Sequence, residues 1–247
     1  MRLKLWRLAL LLDHLVLFVD DLPAAITRFE SKGFTVTPGG TNGPTHNALI
    51  VFSNDTYIEL IALQTSKARS LMKTLRRVGV FTLRRCFKRD LQTRLLNWMS
   101  GSQGFVDMCL RGTDLSEINE PSPLWGMDIT DPVMFKRYRP DGVIVQWILR
   151  GSNNLRQPFF IQDTTPIDYR IPKGEARIHP NGALGISEVR TAEPCGTSAS
   201  NVRIKHDPSL QSGLFSVTIV NELEVTDHIR GPDFFNADIH LLPQSSS

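Results

Sequence analysis

Two apolar runs set the pattern of the chain. Residues 12–19 read Leu12-Asp13-His14-Leu15-Val16-Leu17-Phe18-Val19, and residues 57–61 read Tyr57-Ile58-Glu59-Leu60-Ile61. Runs of β-branched and large apolar residues of this length predict strands. Each carries one side chain able to bind a metal, His14 in the first and Glu59 in the second. Side chains alternate across a strand, so His14 shares a face with Val16 and Phe18, and Glu59 shares one with Tyr57 and Ile61. A polar group pointing into apolar surroundings must be paired, neutralised or bound to a cation.

The patterning around these runs repeats. After the first strand, Asp20-Asp21-Leu22-Pro23 places acids and a proline where a helix starts. Leu22, Ile26 and Phe29 form its apolar stripe, and Gly33 ends it. A short strand over 34–37, a flexible glycine-rich loop over 38–44, and strands over 47–53 and 56–63 follow, with Asn54-Asp55 as the turn. Residues 64–98 switch to helical spacing, with Leu71, Leu75 and Val78, then Leu83, Phe87, Leu91, Leu95 and Trp98, and Gly79 predicts a break between two helices. The first pattern then restarts with a strand over 105–111 and a short helix over 113–120 stopped by Pro121 and Pro123. Strands over 133–138 and 143–149 flank the turn Arg139-Pro140-Asp141-Gly142, and a weaker strand covers 158–162. Residues 164–181, with three prolines, read as a linker or a covering loop. Strand-like runs at 183–190, 201–205, 214–220 and 236–242 form a third copy, in which residues 191–200 have loop chemistry where a helix is expected.

The chain is thus divided into a first βαβββ module (1–63), a basic helical insertion (64–104), a second module (105–162), a linker (163–182) and a helix-poor β-rich module (183–243). One such unit cannot close a core alone. The expected fold class is α+β, with repeated modules forming a curved mixed sheet around a cleft and helices on the convex face. Leu15, Leu17 and Val19 then pack on the first helix, and His14 and Glu59 face a cleft suited to a small ligand.

Composition narrows the class. A hydrophobic content of 41% and a charged content of 21% are those of ordinary globular domains. No apolar run of about 18 residues exists to span a membrane. Residues 1–12 carry Arg2, Lys4 and Arg7 and lack a small-residue cleavage site, so they read as an extra strand or a frayed end, not a signal peptide. Cys86, Cys109 and Cys195 are odd in number and unclustered, which argues against a disulfide framework and fits a reducing, cytoplasmic location. The net charge of +3 is uneven. Residues 64–99 hold ten basic residues and one acid, leaving 18 basic and 24 acidic residues elsewhere. No aromatic residues interleave with that basic segment in stacking positions, so it is read as a solvated helix face, a lid over the cleft or a homodimer contact, with neither nucleic acid nor membrane expected as a partner.

The runs Leu12-Asp13-His14-Leu15-Val16-Leu17-Phe18-Val19-Asp20-Asp21-Leu22, His46-Asn47-Ala48-Leu49-Ile50-Val51-Phe52 and Thr56-Tyr57-Ile58-Glu59-Leu60-Ile61 resemble the glyoxalase-like branch of the vicinal-oxygen-chelate superfamily. Arg137-Tyr138-Arg139-Pro140-Asp141-Gly142 and His179-Pro180-Asn181-Gly182-Ala183-Leu184-Gly185-Ile186 add to the resemblance. It implies paired βαβββ modules with a divalent metal in the cleft (Fe, Mn, Ni or Zn), held by a His on a module's first strand and a Glu on its last. His14 and Glu59 match those positions, as metal ligands and as catalytic residues. Register alone aligns Asp107 with His14 and His240 with Glu59, which makes them candidates for the remaining ligands. Phe160 stands where the second module's own ligand is expected, and cannot serve.

Asn47, Tyr57, Arg139 and Trp147 are candidate substrate contacts. Arg137 or Arg139 would hold an anionic group, and Trp147 would stack on a ring. Two readings follow. One is a metal-dependent isomerase, lyase or dioxygenase acting on a small oxygen-chelating substrate. The other is a metal-free protein that binds or sequesters a small molecule, with His14 and Glu59 simply paired.

Overall fold

The structure, a computed structural model, describes residues 10–87, 90–118, 129–139, 141–151, 154–211 and 215–244. The stretch 1–9, the tail 245–247, the end of the helix expected over 113–120 and the side chain of Cys86 lie outside the described residues.

The first module contains β1 (Leu11–Phe18), α1 (Leu22–Glu30), β2 (Thr37–Asn42), β3 (Thr45–Val51) and β4 (Tyr57–Leu63). The insertion contains α2 (Ser66–Arg77), α3 (Val80–Phe87) and α4 (Leu91–Ser100). The second module contains β5 (Gly104–Arg111), a single 3-10 turn (Leu115–Ile118), β6 (Val133–Tyr138), β7 (Ile144–Arg150) and β8 (Phe159–Asp163). These eight strands form one sheet in the order β2-β3-β4-β1-β5-β8-β7-β6. The two halves have matching topology and meet at the antiparallel β1–β5 pair, while β1–β4 and β5–β8 are parallel. The sheet curls so far that its two edges approach. A Cβ placed on Gly40 of β2 would lie 3.3 Å from the side chain of Arg137 on β6.

Alternation sorts the side chains of β1. Leu12, Leu15 and Leu17 face the convex side and pack with Leu22, Ala25 and Phe29 of α1. Asp21 caps that helix by accepting from the Ala24 N–H at 3.0 Å. The second module has no helix in this place among the described residues. Its convex face, Phe105, Met108, Leu110 and Phe160, is covered instead by a second sheet. That sheet comprises β9 (Ala183–Thr191), β10 (Arg203–His206), β11 (Phe215–Asn221), β12 (Asp227–Arg230) and β13 (Asp238–Pro243), in the order β10-β9-β11-β13-β12. Its Ile186, Val189, Val217, Ile219, Ile239 and Leu241 complete the main core.

Three expectations need correction. The loop over 38–44 is largely the edge strand β2, because Pro38 is tolerated on an edge and Gly40 N–H finds Asn47 Oδ1 at 2.7 Å. The insertion forms three helices instead of two, and Leu91 and Trp98 of α4 pack on Val16, Cys109, Phe159 and Ile161 inside the curl. Leu71 and Val78 of the expected α2 stripe are exposed, and α2 is anchored by buried Arg69, which donates to Met99 O (2.6 Å) and Gly101 O (2.7 Å), covers the Phe18 ring and pairs with Asp20.

Candidate functional site

The inner face of β1 is built around an irregularity. Leu12 pairs with Leu110 and His14 with Cys109, so Asp13 is an extra residue in the ladder, a β-bulge. A bulge places two successive side chains on one side, and Asp13 Oδ1 thereby reaches His14 Nδ1 at 2.7 Å. Asp13 is fully buried. Arg170, from the stretch between the second module and the second sheet, grips it with Nη1 to Oδ1 and Nη2 to Oδ2, both at 2.9 Å. Arg111 Nη1 lies 3.2 Å from Oδ2. Arg170 is itself oriented by Asp163, with Nε to Oδ1 at 2.7 Å and Nη2 to Oδ2 at 2.8 Å. Burial alone would raise the Asp13 pKa. The Arg170 charge and the hydrogen bonds from His14 and Arg170 outweigh it and hold the carboxyl far below the usual carboxylate range.

An ionised Asp13 accepts the His14 Nδ1 proton, which leaves Nε2 as the working atom. Nε2 faces Glu59 Oε2 at 3.6 Å, a side-by-side arrangement set by the parallel register in which Glu59 neighbours Val16 and Tyr57 neighbours His14. The other Glu59 oxygen accepts from Asn47 Nδ2 at 2.5 Å. Asn47 is held in turn by the Gly40 N–H, and a Cβ on Gly39 would lie 2.1 Å from Asn47 Oδ1, so this approach needs a glycine. Tyr57 stacks on the His14 ring at 4.6 Å, and Phe159 meets that ring edge-on at 5.5 Å. The Tyr57 hydroxyl accepts from Arg170 Nη1 at 2.7 Å. Burial pushes the Tyr57 phenol well above its ordinary pKa, against the pull of Arg170.

The expected site residues thus separate. His14, Glu59, Asn47 and Tyr57 come together. Tyr57 and His14 are both buried, their rings packed against each other. Half-buried Trp147 stacks on Phe135 at 6.1 Å on the same inner surface. Arg139 is tied to Asp141 at 2.7 Å beside the β6–β7 turn, whereas Arg137 lies near Glu59 and Tyr57, with its buried Nε lacking a hydrogen-bond partner. Asp107 and His240 are not brought to His14. The register places Asp107 beside Val16, where Arg94 Nε (2.6 Å) and Trp98 Nε1 (2.7 Å) occupy its Oδ2 and Arg94 Nη2 (2.7 Å) its Oδ1. It anchors α4. His240 belongs to the second sheet, stacked on His228.

Among the described residues, the cleft offers His14 and Glu59 as donors without a third free one beside them. Asp13, His14 and Cys109 cluster within 4.8 Å, but both Asp13 oxygens already face guanidinium groups, and the Cys109 thiol is fully buried. Phe159 fills the space next to His14 on the side of the second module. His14 Nε2 and Glu59 remain, one fewer than the three protein ligands typical of a catalytic zinc site.

The sequence reading missed Asp13 and Arg170. A carboxylate in a fully apolar strand needs a buried countercharge, and that requirement was the available signal. His179 is also structural: its Nδ1 accepts from the Thr35 N–H at 2.9 Å and its Nε2 lies 3.0 Å from Val51 O, fastening the covering stretch to the first module.

The glyoxalase-like domain family matches residues 12–201. No curated protein matches the sequence. A hypothetical protein from Staphylococcus aureus, 18% identical, superposes with a TM-score of 0.65 over 95% of this chain and 100% of its own, and so shares the fold. Methylmalonyl-CoA epimerase from Mycobacterium tuberculosis, 14% identical, aligns over 62% of this chain and 85% of its own with a TM-score of 0.37. A xylose isomerase-like TIM barrel/4-hydroxyphenylpyruvate dioxygenase fusion protein, 11% identical, aligns over 96% of this chain and 32% of its own with a TM-score of 0.38. With two halves of matching strand topology curled around His14 and Glu59 and the family match spanning both, the chain belongs to the glyoxalase-like domain family of the vicinal-oxygen-chelate superfamily.

Proposed function

We propose that this chain binds a small organic acid with a hydroxyl or enolisable carbonyl in the cleft, and that His14 and Glu59 exchange a proton with it. One observation carries the reading. The gap of 3.6 Å between His14 Nε2 and Glu59 Oε2 separates two hydrogen-bond acceptors whenever His14 is neutral and Glu59 ionised. Such a pair favours a proton, or a ligand hydroxyl, lying between its members. The opposite ends of both side chains are fixed, His14 by Asp13 and Glu59 by Asn47, so the reacting atoms are held without substrate. Arg137 supplies the anion-holding group, since its buried Nε is unpartnered and its charge lies near Glu59.

Members of the superfamily commonly use divalent metals, and the metal-dependent isomerase, lyase or dioxygenase reading would require a third protein donor at this cleft. The proton-transfer reading uses only the donors present. Its test is a panel of small 2-oxo and 2-hydroxy carboxylates in deuterated buffer, with chelator-treated protein and proton NMR. Exchange at the carbon next to the carbonyl, lost in Glu59→Gln, supports the proposal. Exchange that appears only after Mn(II), Ni(II) or Zn(II) is restored would reverse it in favour of metal dependence. Absence of both exchange and thermal stabilisation by every panel member would overturn it.

A further inference from the structure

We propose that His228, Asp238 and His240 form a separate site for a divalent transition-metal ion, on the face of the second sheet turned away from the core. The strand pattern assembles it. Ile229, Ile239 and Leu241 point into the main core, so the alternate residues His228, Asp238 and His240 point outward. Asp238 and His240 are two apart on β13, and the antiparallel register places His228 of β12 directly opposite His240. Three donors from adjacent strands are thereby collected on one surface by backbone geometry alone.

The distances suit a shared ion. His228 Nε2 is 2.5 Å and His240 Nε2 3.7 Å from Asp238 Oδ1, and the donor atoms all lie within 4.8 Å of one another. Two ligands on a tetrahedral ion with bonds of about 2.0–2.1 Å stand roughly 3.3 Å apart, between the two observed separations. The two imidazoles are stacked at 4.0 Å with an interplanar angle of 18°, so both rings occupy the same small area of the sheet face.

Arg190 is the competing group. Its Nη2 lies 3.0 Å from His240 Nε2, but the same guanidinium also reaches Ser216 Oγ at 2.9 Å and Asp207 Oδ2 at 3.3 Å. It therefore keeps two partners when an ion takes the imidazole lone pair. Two imidazoles and a carboxylate select zinc, nickel or copper over magnesium or calcium, whose preferred ligands are oxygens.

The experiment is zinc titration of untagged, chelator-treated full-length chain, followed by calorimetry and by NMR of the imidazole nitrogens. Saturable binding near one equivalent, with shifts at the Nε2 atoms of His228 and His240, is the expected result. His14→Asn should retain this binding, which makes it independent of the cleft and of the function proposed there. His228→Ala with His240→Ala should weaken it about tenfold or more. The NMR shifts are read on the unsubstituted protein, so the test survives even if that double variant folds poorly. No saturable binding, zinc shifts confined to other histidines, or loss of binding in His14→Asn would overturn the site.

Discussion

Asp13 and Arg170, 157 positions apart in the chain, meet through two parallel hydrogen bonds of 2.9 Å inside the first sheet. This contact ties the covering stretch after β8 to the bulge in β1, and it fixes the histidine that the bulge presents. It also makes stability depend on pH. The Asp13 carboxyl is depressed on folding from an ordinary value of 3.8, so its contribution is fully present above that value. It is lost as pH falls through 3.8 toward the folded value, because in that window the unfolded chain binds the proton more readily. Between pH 4 and pH 3 the loss should be about 1 kcal/mol. Urea unfolding at the two pH values, compared with Asp13→Asn, isolates it, since Asp90, Asp227 and Asp238, also depressed, are intact in both proteins. An equal loss in both would show that Asp13 is not the group responsible.

Removing the cation is a sharper perturbation than removing the proton. Arg170→Met leaves Asp13 buried with Arg111 as its only remaining arginine partner, and leaves Asp163 and the Tyr57 hydroxyl without their donor. Breaking one member out of a buried ion pair costs about 3–5 kcal/mol. Chemical denaturation should register a loss of this size. A change below about 1 kcal/mol would mean that the contact contributes little to the fold.

Asp107 is predicted to behave as an anchor and not as a ligand. Asp107→Ala removes the acceptor for Arg94 and Trp98, the two side chains that hold α4 within the curl. The expected effect is a destabilisation of about 3–5 kcal/mol, with a red-shifted or broadened Trp98 signal reporting the loosened helix. Zinc binding by the folded variant should be unaltered. A variant of full stability that has lost zinc binding would restore Asp107 as a ligand.

What was legible in the sequence follows from range. The period-2 and period-3.6 patterns are local, and they located β1, α1, β3, β4 and β5 and the helical insertion. The pairing of His14 with Glu59 was also legible, because a parallel first and last strand in each module follows from the repeat. The bulge at Asp13 was not, since one extra residue in a ladder leaves no mark on an apolar run. The alignment of Asp107 with His14 gave no sign of Arg94 and Trp98, which occupy that carboxylate from a different segment of the chain. Arg170 was invisible because it sits in a proline-containing stretch with no periodic pattern, and its bonds to Asp13 and Tyr57 span more than 100 positions. For α4 the sequence left three options open, because its apolar residues suit a lid over the cleft, a homodimer contact or another sheet face equally well.

Gly39 offers a test of how Glu59 is aimed. A methyl group there would fall 2.1 Å from Asn47 Oδ1 and 2.9 Å from the Asn47 carbonyl oxygen, so Asn47 must move or β2 must shift. Gly39→Ala is expected to reproduce Asn47→Ala in the exchange assay, because each releases the Glu59 oxygen that Asn47 now holds. Agreement between the two variants to within about threefold, with a small change in melting temperature, is the anticipated pattern. Full activity in Gly39→Ala alongside impaired Asn47→Ala would show that β2 absorbs the methyl group without disturbing the site.

The final prediction separates the proton-carrying pair from the network behind it. Glu59 is only partly buried and its Oε1 is satisfied by Asn47, so Glu59→Gln should change stability by less than about 1 kcal/mol. The same variant should lower carbon-bound proton exchange by 10²–10⁴-fold, the range expected for loss of a general base. His14→Asn should lower exchange comparably and also cost stability, because His14 is buried between Tyr57 and Phe159 and donates to Asp13. If the two residues act as one unit, the double variant is no slower than the worse single variant. Rates that multiply in the double variant would assign His14 and Glu59 to independent roles, and the shared proton between Nε2 and Oε2 would no longer describe the site.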